Sequence, residues 1–550
     1  MSLHRRFLPA FALLLSLSGI PAISHAALTA AMVWEIRDSA TTGNVNGAGW
    51  DGTVASPGTD FSQQDTAQLS ITDLVIGADN TTVTSVGNPF GATHPGNVLH
   101  ITAGTNFTTG WYVVLSVTAT VAQLDRACGT AAATGGTAYL GGAGRLNGLE
   151  DAFFEALPAS SVVHVKNGSY TISGNIAVIA DQTSTTGIKV IGYNATRGDS
   201  TTGTNRPLIV GAANSLQFQG DFYNFYNLRF TTTATSGFLL GNGTTIQNIK
   251  VQNSSTTAGR FAISTNQQGI FFSDCEAVAQ NGTAIAFTSG SDHNAVGCYA
   301  HDSSTGLSGT NISTKVIGSI FEANDVAAMT LSVTTGQHLI GWNTIYGREA
   351  KIGIGINLTG ATSPKNRLIN NIIYGFTTGV SVTTSEANSN MGILNDYFNN
   401  TTNATNYTLE TGALTSDPTF TGATQITGTT ATTSGSVLTQ SGGDFSTVTD
   451  GIDYLHVISG TGVTTGIYLV DSHAATTLTV NNALGTSSAG DVVYFVTTGH
   501  NFAIGTNLKA AGFQSFSNMG IETTGYVDVG GVQRQEAGSS ATTAYTFVGN

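Results

Sequence analysis

Between residues 227 and 398 the chain returns eight times to one four-residue phrase that favours apolar residues at its second and fourth places. The phrases are NLRF (227–230), NIKV (248–251), DCEA (274–277), GCYA (297–300), GSIF (318–321), NTIY (343–346), NIIY (371–374) and NDYF (395–398). Their starts average 24 residues apart. A polar turn follows most phrases, then a small residue before an apolar one, as in SGF (236–238), GTAI (282–285), TGL (305–307) and TGV (378–380). Each repeat therefore holds two or three short strands. Strand alternation turns places two and four to one side, so Phe230, Val251, Phe321 and Tyr346 are expected to point inward. Cys275 and Cys298 take the inward second place of consecutive phrases and are expected as neighbouring buried sulfurs, bonded or free. Cys128 is expected to stay unpaired.

A period of this length without interleaved helices suits an all-β solenoid of parallel strands, one rung per repeat. The leucine pattern of leucine-rich repeats is absent, and propeller blades need about 40 residues. Asn227, Asn248, Asn343, Asn371 and Asn395 share the first place of their phrases. Stacked amides there form a hydrogen-bonded ladder, or Asn serves only to tolerate a bend. Both readings assign these residues to the scaffold.

A second regularity flanks the first. Leu99–Thr130 matches Leu455–Thr486 at 15 of 32 positions without a gap, including His100/His456, Gly110/Gly466 and Tyr112/Tyr468. Alternating runs such as WYVVLSV (111–117) and TTLTVNN (476–482) predict a compact β-module in each copy. The first spans about 69–142, within an N-terminal segment 27–145. The second, 431–500, interrupts the end of the coil. Their shared histidine reads as a packed or hydrogen-bonded residue rather than a catalyst, and each module is expected against an end or flank of the rod. A head-to-tail role, joining molecules into filaments, is a further expectation.

VHVKNGSYTISGNIAV, followed by IKVIGYNATRGD and RPLIV (163–210), resembles the opening coil of the right-handed parallel β-helix superfamily of pectin-lyase type. DPTF (417–420), FAIGTNLKAAG (502–512) and GYVDVGGVQ (525–533) resemble the closing segment of its secreted bacterial members. The resemblance implies a β-helix over 146–430, closed by a segment within 501–550. It leaves activity open, because the superfamily holds lyases, hydrolases, adhesins, phage spikes and proteins without known chemistry. LNGLEDAFFEAL (146–157) carries helical apolar spacing at Leu149, Phe153, Phe154 and Leu157, and is expected to cap the open end of the coil.

Residues 1–26 have the make-up of a secretory signal: Arg5 and Arg6, an apolar stretch from Phe7 to Ile20, and a small-x-small site at Ser24-His25-Ala26. A secreted or cell-surface protein is expected, and no later run is long enough to span a bilayer. Only 9 % of residues are charged and the net charge is −14. No basic stripe exists for phosphates, so nucleic acid is not an expected partner. Three cysteines allow at most one intramolecular disulfide.

The richest titratable group lies in and after GSDHNAVGCYAHD (290–302). His301 and Glu322 occupy one place on adjacent rungs, with Asp302 and Arg348 one place on, and Asp292, His293, Asp325, Glu349 and Lys351 nearby. Under a lyase reading, which the resemblance permits, Arg348 or Lys351 would serve as base or carboxylate-neutralising cation, and the acidic residues would hold Ca²⁺. Otherwise no cofactor is implied. The plainer reading is a solvated charge face, on which His301→Ala, Glu322→Ala or Arg348→Ala leaves folding intact. Arg229, Lys250 and Glu276 read as a surface charge ladder. No HExxH, P-loop, GxSxG or CxxC motif occurs. Tyr299 and Trp342 are the aromatics placed to stack on a sugar. These features favour a structural, adhesive or assembly protein, with a lyase or hydrolase of acidic polysaccharide, or a non-catalytic glycan binder, as the alternatives.

Overall fold

The computed structural model describes residues 33–36, then 69–140 and 154–498 with short breaks, and Phe502. The signal segment, Arg348, Glu349 and the closing segment beyond Phe502 lie outside the described residues. From Val162 to Thr405 the chain winds into a coil of short strands that pair only in parallel, building three sheets of ten strands each, one of which Val33–Ile36 extends to 11. Strand Val33–Ile36 joins the N-terminal edge of the largest sheet beside Val162–Lys166.

Inward residues at alternate strand positions build the core, as period-two alternation requires. In the sheet that carries the eight phrases the inward column runs Phe230, Val251, Ala277, Ala300, Phe321, Ile345, Ile373 and Tyr397. All eight are buried. Phe321 pairs with Ile345 rather than Tyr346, so the last three phrases stand one residue out of the register read from sequence. Tyr346 consequently points outward, where it stacks on Tyr374 at 5.1 Å and is covered by Phe420 and Phe502.

The same slip divides the asparagines into two sets. Asn227 and Asn248 occupy a left-handed turn position (φ 58° and 53°) shared with Asp274, Gly297 and Gly318. Asn343, Asn371 and Asn395 sit one place later, on the inward column of Cys275, Cys298 and Ser319. Both sets hydrogen-bond along the rod. Asn248 Nδ2 donates to Asn227 Oδ1 at 2.7 Å, and Asn371 Nδ2 donates to Asn395 Oδ1 at 2.8 Å. Cys275 and Cys298 are buried, adjacent and free, and Cys128 is free in the first barrel.

The capping helix is not supported. Among its described residues 154–155 have helical backbone and Leu157 does not; 146–153 and 156 lie outside the described residues. Phe154 and Leu157 are nonetheless buried, and Phe154 meets Phe218 edge-on at 5.0 Å.

Each duplicated module is a closed six-stranded antiparallel barrel, and the strands follow the same order around both. Equivalent backbone features repeat at the sequence offset. Phe107 bridges Gly129 as Val463 bridges Gly485. Tyr112 donates to the Thr108 carbonyl at 2.7 Å, and Tyr468 to Thr464 at 2.8 Å. Gly104 and Gly460 both have φ near 150° (143° and 152°), where a Cβ would press into Phe107 or Val463. The second barrel starts with strand Thr424–Ser434 and keeps a core of its own, whereas the core of the first is continuous with that of the coil.

At the closing end Asp396 is fully buried, and its Oδ1 accepts from Ser416 N at 2.9 Å. Burial, aided by the charge of Asp417, pushes its carboxyl from 3.8 up to about 7 against that hydrogen bond. Below about pH 4 the folded and unfolded chains both hold this proton; between about 4 and 7 the folded chain holds one more. Stability is therefore expected to fall with rising pH across that window, by up to roughly 1.4 kcal/mol per pH unit. Asp396→Asn should flatten this part of a pH series of urea denaturations.

Candidate functional site: the face between coil and second barrel

Of the titratable residues gathered from the sequence, His301 and Glu322 lie on the outer face of the phrase-bearing sheet, Asp302 and Asp325 follow just after their strands, and His293 lies on a strand of the 11-stranded sheet. Outward positions on strands Glu276–Ala279, Tyr299–His301 and Ile320–Glu322 are brought side by side by parallel pairing. That face is not solvated. The second barrel lies across it, burying Val278 of the coil against Tyr454 and Ile467, with Leu469 packed alongside. At one margin Gln280 and Asn481 exchange amide hydrogen bonds of 3.3 and 3.1 Å, and Asn281 Oδ1 accepts from Ile467 N at 3.4 Å. The amide pair satisfies the buried Gln280 side chain.

At the centre His456 of the barrel enters between two carboxylates of the coil. Its Nε2 lies 2.6 Å from Asp302 Oδ1 and its Nδ1 3.1 Å from Asp325 Oδ1. The ring has no exposed surface and stacks on Phe495 at 4.2 Å. The other oxygen of Asp302 faces His301 Nδ1 at 2.7 Å, and His301 Nε2 lies 3.3 Å from Glu276 Oε1. Glu276 also holds Lys250 at 2.6 Å, with Arg206 at 4.0 Å. Tyr299 stacks on His301 at 4.0 Å and donates its hydroxyl to Glu322.

Burial and pairing compete throughout. Burial alone would discharge His301, but hydrogen bonds to Asp302 and Glu276 outweigh it and raise its pKa. Burial likewise works against the charge of Glu276, yet His301 and Lys250 lower it from 4.5 to about 2. Asp302 is held far below the usual carboxylate range by its two histidines, again against burial. Tyr299 is pushed well above 10 by burial and then by Glu322 and Asp302.

Sequence reasoning thus collected His301, Asp302, Glu322 and Asp325 correctly as one cluster, but placed them in water. His301, Asp302 and Glu322 are 4 %, 2 % and 0 % exposed, so the expectation that His301→Ala or Glu322→Ala leaves folding intact does not stand. Lys351, half-buried, offers its carbonyl to the Thr377 hydroxyl. Asp292 accepts from the Ser291 hydroxyl, and His293 stacks on Phe287 at 4.4 Å and faces the Ser289 carbonyl. Of the sugar-stacking candidates, Tyr299 is spent on His301, and Trp342 is buried beside Ile369. The charge-ladder residue Glu276 belongs to the cluster, while Arg229 turns aside to the carbonyls of Arg206 and Thr204. Reasoning from sequence missed Tyr454, Gln280 and Asn481. His456 was read from its duplication as a packed or hydrogen-bonded residue, with no partner assigned to it; the partners are Asp302 and Asp325.

Beside the clamp, coil and barrel leave a cavity of about 540 Å³. Thr256, Asn281, Ser304 and Asp325 line it from the coil, and Thr464 and Asn482 from the barrel. Among the described residues no three His, Cys, Asp or Glu side chains converge as a metal site, and no helix is long and apolar enough to cross a membrane.

Three stacked parallel sheets joined by short turns define a parallel β-helix. Similar solved structures include pectate lyase Pel9A, with 14 % identity over 70 % of this chain and 90 % of that one at a TM-score of 0.41. The A-module of the Azotobacter vinelandii mannuronan C-5 epimerase AlgE4 matches at 12 % identity over 43 % and 68 %, TM-score 0.32. The tailspike gp49 of Acinetobacter baumannii bacteriophage Fri1, a capsular polysaccharide depolymerase, matches at 9 % over 73 % and 91 %, TM-score 0.29. The likeness is one of fold, and the fold assignment rests on the strand pairing itself. No family profile and no curated protein sequence matches the chain.

Proposed function

We propose that this is a secreted or cell-surface structural protein with an adhesive or assembly role, and that the outer face of its coil is non-catalytic. The observation that supports this reading is the burial of the titratable cluster beneath the second barrel. A general acid or base must come within hydrogen-bond reach of the reacting atom, and a polymer cannot approach His301 or Glu322 while the barrel is docked. Three of the acidic residues that a lyase reading would give to Ca²⁺ are already engaged. Asp302 and Asp325 face His456, and Glu322 accepts from Tyr299.

The test is incubation of the secreted chain with a panel of acidic polysaccharides, monitoring the ultraviolet absorbance of unsaturated ends and the release of reducing ends. Neither should rise above a boiled control. Sustained product formation, abolished by Glu322→Gln, would replace the structural reading with an enzymatic one.

The cavity supports a second reading, a non-catalytic glycan contact. Its size falls in the range of small-ligand sites, and its hydroxyl and amide lining suits sugar hydroxyls. Saturation-transfer NMR with soluble glycans tests it, with Asn281→Ala as the variant expected to lose the signal. Filament formation is a separate proposal. Sedimentation at increasing concentration should show open-ended growth rather than one closed oligomer.

A further inference from the structure

Four nitrogen–oxygen contacts link the five side chains Glu276, His301, Asp302, His456 and Asp325, at 3.3, 2.7, 2.6 and 3.1 Å. Each contact needs one hydrogen between its two atoms, because a bare ring nitrogen facing a carboxylate oxygen sets lone pair against lone pair. A neutral imidazole carries one N–H, so two neutral rings supply only two of the four. The remaining two must come from solvent as protons.

We propose that this five-membered chain of alternating carboxylates and imidazoles stores two protons, and that it makes docking of the second barrel a proton-dependent latch. With both protons in place the charges run −, +, −, +, − across the interface. The chain then carries one surplus negative charge, and Lys250 and Arg206 lie at its Glu276 end. Tyr299, Tyr454 and Phe495, which also face the histidines, do not supply the hydrogens. Tyr299 stacks on His301 and gives its proton to Glu322, Tyr454 of the barrel meets His301 edge-on at 6.3 Å, and Phe495 packs on His456.

The barrel has its own apolar core, separate from that of the coil, so it can leave the coil without unfolding. Deprotonation therefore acts on docking rather than on the barrel fold. The sign follows from His301, whose pKa is raised in the docked state. Its contribution is complete below the ordinary histidine range near 6.5 and is lost as pH rises through the raised value. Glu276 and Asp302 are lowered, so their contribution is present above about pH 4 and fails only in strong acid. The latch is closed in mildly acidic medium and opens in alkali.

The experiment uses the full secreted chain with ¹⁵N-labelled histidine. At pH 6 both ring nitrogens of His301 and His456 should show the shifts of hydrogen-bearing nitrogen. His473, whose Nδ1 faces Asp450, serves as the internal reference. Hydrogen exchange at pH 6 and pH 9, corrected for the intrinsic rate, should show protection at Val278–Gln280 and Leu455–Val457 falling at least tenfold in alkali. The barrel core strand Thr477–Val480 should keep its protection. In His456→Gln, which cannot carry the second proton, docking protection should already be weak at pH 6 and should change less than twofold between the two pH values. A bare, lone-pair-bearing nitrogen on either ring at pH 6 overturns the proposal, as does wild-type docking protection that is the same at pH 6 and pH 9.

Discussion

Asp302→Ala is expected to destabilise the chain by about 3–5 kcal/mol, the range seen when one partner of a buried ion pair is removed. Asp302 is the only member of the cluster that touches both histidines, at 2.7 and 2.6 Å, and its side chain is 3 % exposed. Its loss leaves His301 with Glu276 and His456 with Asp325, each ring short of one acceptor in a site closed to water. Asp302 also has a left-handed backbone (φ 46°), which Asp and Asn tolerate better than Ala, so the backbone adds to the loss. Asp302→Asn separates the two terms, because it keeps the shape and the turn while removing the charge. Urea denaturation followed at 25 °C should show a large fall in midpoint for Ala and an intermediate one for Asn. A double-mutant cycle with His456→Ala should return a coupling of about 1–3 kcal/mol, since the two residues act through one contact. A loss below about 1 kcal/mol for Asp302→Ala would mean that the barrel is held by its apolar contacts alone.

The coil was legible in the sequence because inward and outward residues alternate over short runs and turns punctuate them at similar spacing. The duplicated barrels were legible because identity persisted in register, down to the glycines that turn at Gly104 and Gly460. Two things stayed hidden, each for a physical reason. Rung length is not constant: Phe230 to Val251 spans 21 residues and Ile345 to Ile373 spans 28. An asparagine can satisfy either of two adjacent places, so aligning phrases on Asn moved the last three by one residue and turned Tyr346 the wrong way. The fate of the charged face was hidden more deeply. His301 and Glu322 carry the same local pattern whether water or a barrel covers them. His456 reaches Asp302 across 154 residues of chain, and no periodicity encodes that distance. The residues of the cluster could be assembled from rung spacing; their burial could not.

The asparagine column explains how the coil keeps its corner closed, and it carries the second large expected effect. At this place the chain leaves a left-handed turn, and the backbone N–H of each rung is taken by the side chain one rung on. Cys298 N donates to Ser319 Oγ at 3.1 Å, and Ser319 N to Asn343 Oδ1 at 2.9 Å. Asn343 N donates to Asn371 Oδ1 at 3.1 Å, and Asn371 N to Asn395 Oδ1 at 2.9 Å. The column ends where Asn395 N meets Glu410 Oε1 at 2.8 Å. Each amide nitrogen also reaches back to a carbonyl on the neighbouring sheet, as Asn371 Nδ2 does to Ile340 O at 2.9 Å. The place calls for a side chain that both accepts and donates, and Ser319 does so with its hydroxyl, accepting from Cys298 N and donating to Ile317 O at 3.2 Å. Asn371→Ala would strip partners from Asn343 N and Ile340 O inside a fully buried corner. At about 1–3 kcal/mol for each unsatisfied buried group, the loss should come to roughly 4 kcal/mol. Asn371→Leu fills the space without the hydrogen bonds and should recover little, whereas Thr330→Ala, outward on another sheet, should stay within about 0.5 kcal/mol. Urea denaturation measures the losses, and hydrogen exchange at the Asn343 amide reports the site directly. If Asn371→Leu matches the wild-type chain, packing rather than hydrogen bonding closes the corner.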